Sequence, residues 1–192
     1  AKPNFVYLPP KLLEELDDLI SSNAFTNSIY IPEMVITGGA SVNKDLLKRL
    51  ENYGFTVYEA YGMSENSSVI SINSPTNRKI GTVGKLLPGI QAKIIEDELW
   101  VKSSTLCAGY YNADSTSCEI DNEGYLKTGD IAKFDEEGFL LITGRKKHLI
   151  ILSNARNISP EWVEGIFKES PHIDDIVIFG DGMESIGAVI LP

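Results

Sequence analysis

Tyr58-Glu59-Ala60-Tyr61-Gly62-Met63-Ser64-Glu65 is the stretch on which the reading of this chain turns. It sets an aromatic face, a free backbone, a hydroxyl and a carboxylate side by side. The apolar-rich run Phe55-Thr56-Val57-Tyr58 predicts a strand, which puts these groups in a turn just beyond its carboxyl end, where α/β sheets line their ligand crevices. There a ring can stack on a purine, Gly62 lets the main chain approach, Ser64 can donate to a phosphate oxygen and Glu65 offers a hard oxygen to Mg²⁺. Read alone, the same residues also fit a surface turn with an aromatic plug.

Working outward, Met34-Val35-Ile36-Thr37 predicts a short buried strand ending at Gly38-Gly39. Residues 43 to 53 predict a helix with Leu46, Leu47 and Leu50 on its core face. With the strand at 55–58 this is strand, helix, strand, the unit of a parallel sheet. Upstream, Pro9-Pro10 precedes an amphipathic helix over 11–21 carrying Leu12, Leu13, Leu16, Leu19 and Ile20. Beyond residue 75 the texture changes to short strands: Gln91 to Ile95, Glu98 to Lys102, Ile131 to Phe134 and Phe139 to Ile142. The last two flank the turn Asp135-Glu136-Glu137-Gly138 and predict a hairpin. Pro160 opens a helix whose apolar side is Trp162, Val163, Ile166 and Phe167, and strands follow at Asp175 to Gly180 and Gly187 to Leu191. The fold class is therefore mixed α/β and β: a parallel unit, a β-rich subdomain, then the start of a small α+β domain.

Composition sets limits on function. The chain of 192 residues is 43% hydrophobic and 23% charged, ordinary for a soluble globular protein, and its formal net charge of -10 argues against a broad nucleic-acid or anionic-membrane surface. The one dense basic run is Arg145-Lys146-Lys147-His148. Cys107 and Cys118 lack metal spacing and read as a reduced pair. The start Ala1-Lys2-Pro3-Asn4 has no signal layout, and no apolar run approaches the roughly 20 residues that span a bilayer, so the expected compartment is the cytoplasm. Trp100 and Trp162 read as core or interface aromatics, and His148 and His172 as solvated histidines.

Taken together, the ordered motifs resemble those of the adenylate-forming enzymes: acyl-CoA synthetases, peptide-synthetase adenylation domains and beetle luciferases. Gly38-Gly39-Ala40 looks like the glycine pair beside the acyl pocket, and Tyr61 to Glu65 like the aromatic-Gly-x-Thr-Glu signature. Gly81-Thr82-Val83-Gly84 with Pro88-Gly89, Gly109-Tyr110-Tyr111, Tyr125-Leu126-Lys127-Thr128-Gly129-Asp130 and Gly144-Arg145-Lys146-Lys147 follow in family order. Among the subfamilies, the Gly-Arg-Lys-Lys run and Asn157-Ile158-Ser159-Pro160 look most like long-chain acyl-CoA synthetases.

The resemblance implies two half-reactions: a carboxylic acid, expected to be a fatty acid, attacks the α-phosphate of Mg-ATP to give an acyl adenylate, and the thiol of coenzyme A then displaces AMP. It implies a nucleotide site of Tyr61, Gly62, Met63, Ser64, Asp130 and Arg145, with Tyr61 on adenine, Ser64 at the α-phosphate, Asp130 on both ribose hydroxyls and Arg145 on ribose and phosphate oxygens. Glu65 would hold Mg²⁺, Gly38, Gly39 and Ala40 would border the acyl chain, and Lys147 would be the hinge between a large domain (1–144) and a cap domain (145–192). Neither a nucleic-acid partner nor a transmembrane segment is implied; peripheral membrane contact by a longer parent is left open. Two other readings stay open: loading of a carrier protein, and a non-catalytic module binding a nucleotide or a partner.

The departures carry expectations too. The glycine-rich phosphate loop and the late lysine of the family are absent, so these residues alone are expected not to catalyse adenylation. Asn154-Ala155-Arg156-Asn157 stands where many acyl-CoA synthetases have Gly-Gly-Lys-Asn, and alanine suits a left-handed backbone poorly, which puts the main-chain contacts to CoA in question.

Overall fold

The parallel unit forms because each of its elements is specified locally. The Asn43 side chain accepts from the amides of Asp45 (2.7 Å) and Leu46 (3.3 Å), capping the second helix, α2 (Lys44–Asn52). Its Leu46, Leu47 and Leu50 then meet Leu13 of the first helix, α1 (Pro10–Ser21), with Val35, Phe55 and Val57 in one buried cluster. Leu16 and Ile20 of α1 pack against this cluster, while Leu12 and Leu19 lie on the exposed side of that helix. The stripe read from the sequence is thus wider than the face that is buried. Asp17 is buried on α1 and is neutralised by Arg49 of α2 at 2.8 Å.

The computed structural model describes residues 2–22, 30–111, 119–170 and 172–192, so Ala1 and Cys118 lie outside the described residues. These divide into two compact units, Ala1–Pro88 with Glu136–Leu140, and Gly89–Asp135 with Leu141–Pro192. The first holds a five-stranded sheet in chain order: β1 (Phe5–Tyr7), β2 (Met34–Gly38), β3 (Val57–Met63), β4 (Ser68–Ile72) and β5 (Lys85–Leu86). β1, β2 and β3 run parallel; β3 with β4 and β4 with β5 are antiparallel.

In the second unit β6 (Gln91–Ile95), β7 (Glu98–Lys102), β8 (Leu126–Phe134) and β9 (Leu140–Arg145) form a sheet in that order, burying Leu99, Val101, Leu126 and Ala132. A hairpin of β10 (Ile150–Ile151) and β11 (Asn157–Ile158), helix α3 (Pro160–Phe167) and a hairpin of β12 (Asp175–Phe179) and β13 (Gly187–Leu191) enclose a small core of Ile150, Leu152, Ile176 and Ile178. The fold is therefore the mixed α/β and β arrangement expected from the sequence.

Three strand boundaries differ from the sequence reading by three residues or more. β3 does not stop at Tyr58 but runs to Met63, and a bulge between Tyr61 and Gly62 absorbs the irregularity that reads as a turn. β8 begins at Leu126, so the Thr-Gly-Asp run is a bulge within a strand opposite Leu99. β9 continues to Arg145, the first residue of the basic run. β1 and β4, with three and five residues, were not anticipated.

The aromatics also differ. Trp162 is 58% exposed and is no core residue; Val163 is the α3 residue that packs inward. Trp100 lies between Lys93 and Lys127, whose ammonium groups stand 5.4 and 5.2 Å from its ring centre.

Ala155 does adopt the left-handed conformation, with φ 61°, in the turn joining β10 to β11. That turn is held by Leu152 N–H to Arg156 O (2.9 Å) and by Arg156 N–H to the Asn154 side chain (3.1 Å). A Cβ in this region costs roughly 1–2 kcal/mol, partly offset in glycine by its freer unfolded chain. Ala155→Gly should therefore stabilise the protein by about 0.5–1 kcal/mol in urea unfolding. A loss of stability would show that the Ala155 methyl makes packing that outweighs its strain.

Candidate functional site

In the first unit the candidate residues gather at the carboxyl ends of β2 and β3. Gly38 ends β2 in register with Ala60, and a Cβ added at Gly38 would stand 2.6 Å from the Ala60 carbonyl oxygen. Gly39 and Ala40 follow on the surface, and the Tyr7 hydroxyl donates to the Gly38 carbonyl at 2.9 Å. One strand over, Tyr61 is half-buried, Gly62 and Ser64 are exposed, and Glu65 is half-buried in the single 3₁₀ turn Ser64–Asn66. The glycine pair and the Tyr61-to-Glu65 segment are thus brought side by side by parallel pairing.

The close approach at Gly62 is made by the chain itself: a Cβ there would lie 1.7 Å from the Ser68 carbonyl oxygen. Ser67 and Ser68 both take positive φ, 56° and 104°. Strain of this kind costs on the order of 1–3 kcal/mol per residue and persists where surrounding structure enforces it. Here it closes the turn right after Glu65.

Among the described residues no group of three or more His, Cys, Asp or Glu side chains could hold a metal. Glu65 by itself fits Mg²⁺, an ion commonly bound by one or two carboxylates plus substrate phosphates.

Below this edge the sheet carries a buried polar seam. Thr37 and Glu59 are register partners, and Ser71 is the partner of Tyr61, which places Thr37, Glu59 and Ser71 on one face. Glu59 accepts from the Gly81 amide at 3.1 Å, while Asn73 donates to the Thr82 carbonyl at 2.6 Å and accepts from the Lys79 amide at 2.8 Å. The seam so fastens the Gly81-to-Gly84 turn to the sheet. Burial pushes the Glu59 carboxyl up to about 7, against the opposing pull of the Gly81 N–H and of Arg78 and Lys44. The hydroxyls of Thr37 and Ser71 are buried without a partner among the described residues.

In the second unit Asp130 and Arg145 form a pair: Arg145 Nε donates to Asp130 Oδ1 at 2.8 Å. The Asp130 amide is held by the Thr128 hydroxyl (3.1 Å), which itself donates to the Leu99 carbonyl (2.8 Å). Gly129 sits at φ 74° with no atom where its Cβ would be, so the bulge requires glycine for its backbone alone. Glu98 was not anticipated. It is buried, takes the Gly129 N–H on Oε1 at 3.1 Å and takes Lys146 Nζ on Oε2 at 3.0 Å. Lys147 is exposed in the 3₁₀ turn Lys146–His148. His148 is exposed as expected but has a partner, Glu161, at 2.5 Å. Glu161 also accepts from Ser159, whose hydroxyl reaches the Thr143 carbonyl (2.9 Å) and caps α3.

The AMP-binding enzyme family matches residues 1–111, and the AMP-binding enzyme C-terminal domain matches residues 147–192. The chain belongs to the AMP-binding enzyme family. Among its relatives, the long-chain-fatty-acid–CoA ligase FadD15 of Mycobacterium bovis is 38% identical over 156 residues, covering 81% of this chain and 26% of that protein. The long-chain-fatty-acid–CoA ligase ACSBG2 of Xenopus laevis is 39% identical over 153 residues, covering 76% of this chain and 21% of that protein. The chain spans about a quarter of the length of such curated relatives. Among solved structures, O-succinylbenzoate coenzyme A synthetase from Bacillus subtilis, in complex with ATP and a magnesium ion, superposes with a TM-score of 0.80 at 29% identity, covering 97% of this chain and 41% of that one. In this member of the family, no helix among the described residues is long and apolar enough to cross a membrane.

Proposed function

We propose that this chain is part of an ATP-dependent, AMP-forming ligase that activates a carboxylic acid, a fatty acid by preference, and passes the acyl group to the thiol of coenzyme A in the cytoplasm. The observation that carries the proposal is the placing of Gly38-Gly39 and Tyr61-to-Glu65 at the carboxyl ends of two neighbouring parallel strands, the edge where open α/β sheets bind ligands. The names of the relatives favour a fatty acid and CoA as substrates.

In this reading the Tyr61 ring stacks on adenine, the Ser64 hydroxyl donates to the α-phosphate, and Gly38, Gly39 and Ala40 border the acyl group with backbone and one methyl. Gly62 and Met63 carry the chain past the base. Mg²⁺ held by Glu65 would neutralise charge on the phosphates. Asp130 accepts from the two ribose hydroxyls, and Arg145 turns its remaining N–H groups to ribose and phosphate oxygens. Nucleotidyl transfer of this kind depends on positioning and charge neutralisation, which these groups supply without a histidine base. Lys147, at the functional boundary we place between 144 and 145, is the hinge about which the cap segment turns between the half-reactions.

Asp130→Ala in the full-length protein tests the assignment. Loss of charge-assisted hydrogen bonds should weaken ATP binding by about 1.5–3 kcal/mol in a calorimetric titration. Unchanged ATP affinity would remove Asp130 from the ribose and with it the nucleotide role of this bulge.

A further inference from the structure

We infer that Glu98 is a positioning residue for the ribose-binding pair, acting through Lys146 on one side and the Gly129 amide on the other; the inference rests on the nucleotide reading above. Glu98 lies on β7, opposite neither Asp130 nor Arg145, yet each of its carboxylate oxygens binds the residue next to one of them. Oε1 holds Gly129, which precedes Asp130, and Oε2 holds Lys146, which follows Arg145. One carboxylate thereby ties β8 to the turn that follows β9. The Asp130–Arg145 pair, joined at 2.8 Å, falls between those two anchors in sequence.

The carboxylate end of this clamp is buried, while the Lys146 end is half-exposed. The Glu98 side chain is only 7% exposed, so its charge is stabilised by the two donors and not by water. A Cβ added at Gly129, at φ 74°, would meet nothing, so the residue is held through its backbone: its N–H by Glu98 and the next amide, that of Asp130, by Thr128. Lys146 is followed at once by exposed Lys147, and anchoring Lys146 sets the last fixed point before the proposed hinge. An unclamped bulge would let Asp130 turn from the geometry needed to meet two adjacent hydroxyls at once. The expected signature is therefore a loss confined to the sugar.

The test uses the full-length protein and compares binding of ATP with that of dideoxy-ATP, which lacks both ribose hydroxyls. E98Q/K146M removes the ion pair without stranding a buried charge and leaves a side-chain amide oxygen at position 98 able to accept from Gly129; K146R retains the pair. E98Q/K146M should bind ATP about tenfold more weakly than wild type, the equivalent of one displaced charge-assisted hydrogen bond, and dideoxy-ATP unchanged. K146R should match wild type for both. If the double variant keeps the wild-type preference for ATP, or loses affinity for both nucleotides alike, Glu98 has only a structural role and the inference is overturned while the nucleotide reading stands. If wild type itself binds the two nucleotides equally, the ribose role of Asp130 fails, and the positioning role fails with it. K146R and the melting temperature of each variant separate these outcomes from a general loss of fold.

Discussion

Gly62→Ala should destabilise the first unit by at least about 3 kcal/mol, and the loss should be visible as a shifted midpoint in urea unfolding. The added methyl would stand 1.7 Å from the Ser68 carbonyl oxygen, 2.5 Å from its carbonyl carbon and 2.8 Å from Val69 Cα. All three are backbone atoms of β4, so no side-chain rotamer can clear the space. Relief would require β4 to slide from β3, breaking the register in which Gly62 meets Val69 and Met63 meets Ser68. A cost under about 1 kcal/mol would mean that this register is soft and that the bulge is not pinned as described. Loss of activity in any Gly62 variant therefore reports first on the β3–β4 crossing, whereas Tyr61 and Ser64, which flank it, can be replaced without that conflict.

How much of this was legible in the sequence follows from the range of the interactions. The strand-helix-strand unit could be read because its signals are local: Asn43 as a cap, leucines at helical spacing, and a glycine pair after a β-branched run. The limits of β3 and β8 could not, because each strand is prolonged across a glycine by pairing with a neighbour distant in sequence. Gly62 and Gly129 read as turn residues when alone; in the sheet they sit at or beside bulges, which use the same backbone freedom. The order of the site motifs was legible for the same reason as the helix, since each motif is a short run. Missing from that reading were Glu59 and Glu98, carboxylates with partners 22 and 48 residues away. One signal was present: each has apolar or aromatic strand neighbours, Val57, Tyr58 and Ala60 for Glu59 and Leu99, Trp100 and Val101 for Glu98, and a carboxylate facing inward among them must find a partner.

Glu59→Gln should make the protein more stable above neutral pH and remove much of its pH dependence between about 4.5 and 7. Burial lifts this carboxyl from 4.5 to about 7. The native state therefore keeps the proton where the unfolded chain has already released it, and stability must fall as pH rises through that interval. What protonated Glu59 contributes is present in full below about pH 4.5 and gone above about pH 7. At 1.36 kcal/mol per unit, the penalty at pH 8 reaches about 3 kcal/mol as an upper bound. Glutamine can still accept from the Gly81 amide, and its amide can donate towards the hydroxyl of Thr37, the cross-strand partner left without one. Urea unfolding at pH 5 and pH 8 should then show the variant gaining about 1–3 kcal/mol at the higher pH and little at the lower. The carboxylates held low by lysine neighbours, Asp45, Glu119, Asp121 and Asp175, act in the opposite direction, making stability rise with pH, but only below their ordinary range. Their effect falls below the interval in which Glu59 releases its proton. Parallel stability curves for wild type and variant across that window would show that the Glu59 charge is met by solvent or by Lys44 and Arg78, and that the seam beneath Tyr61 is wetter than its burial implies.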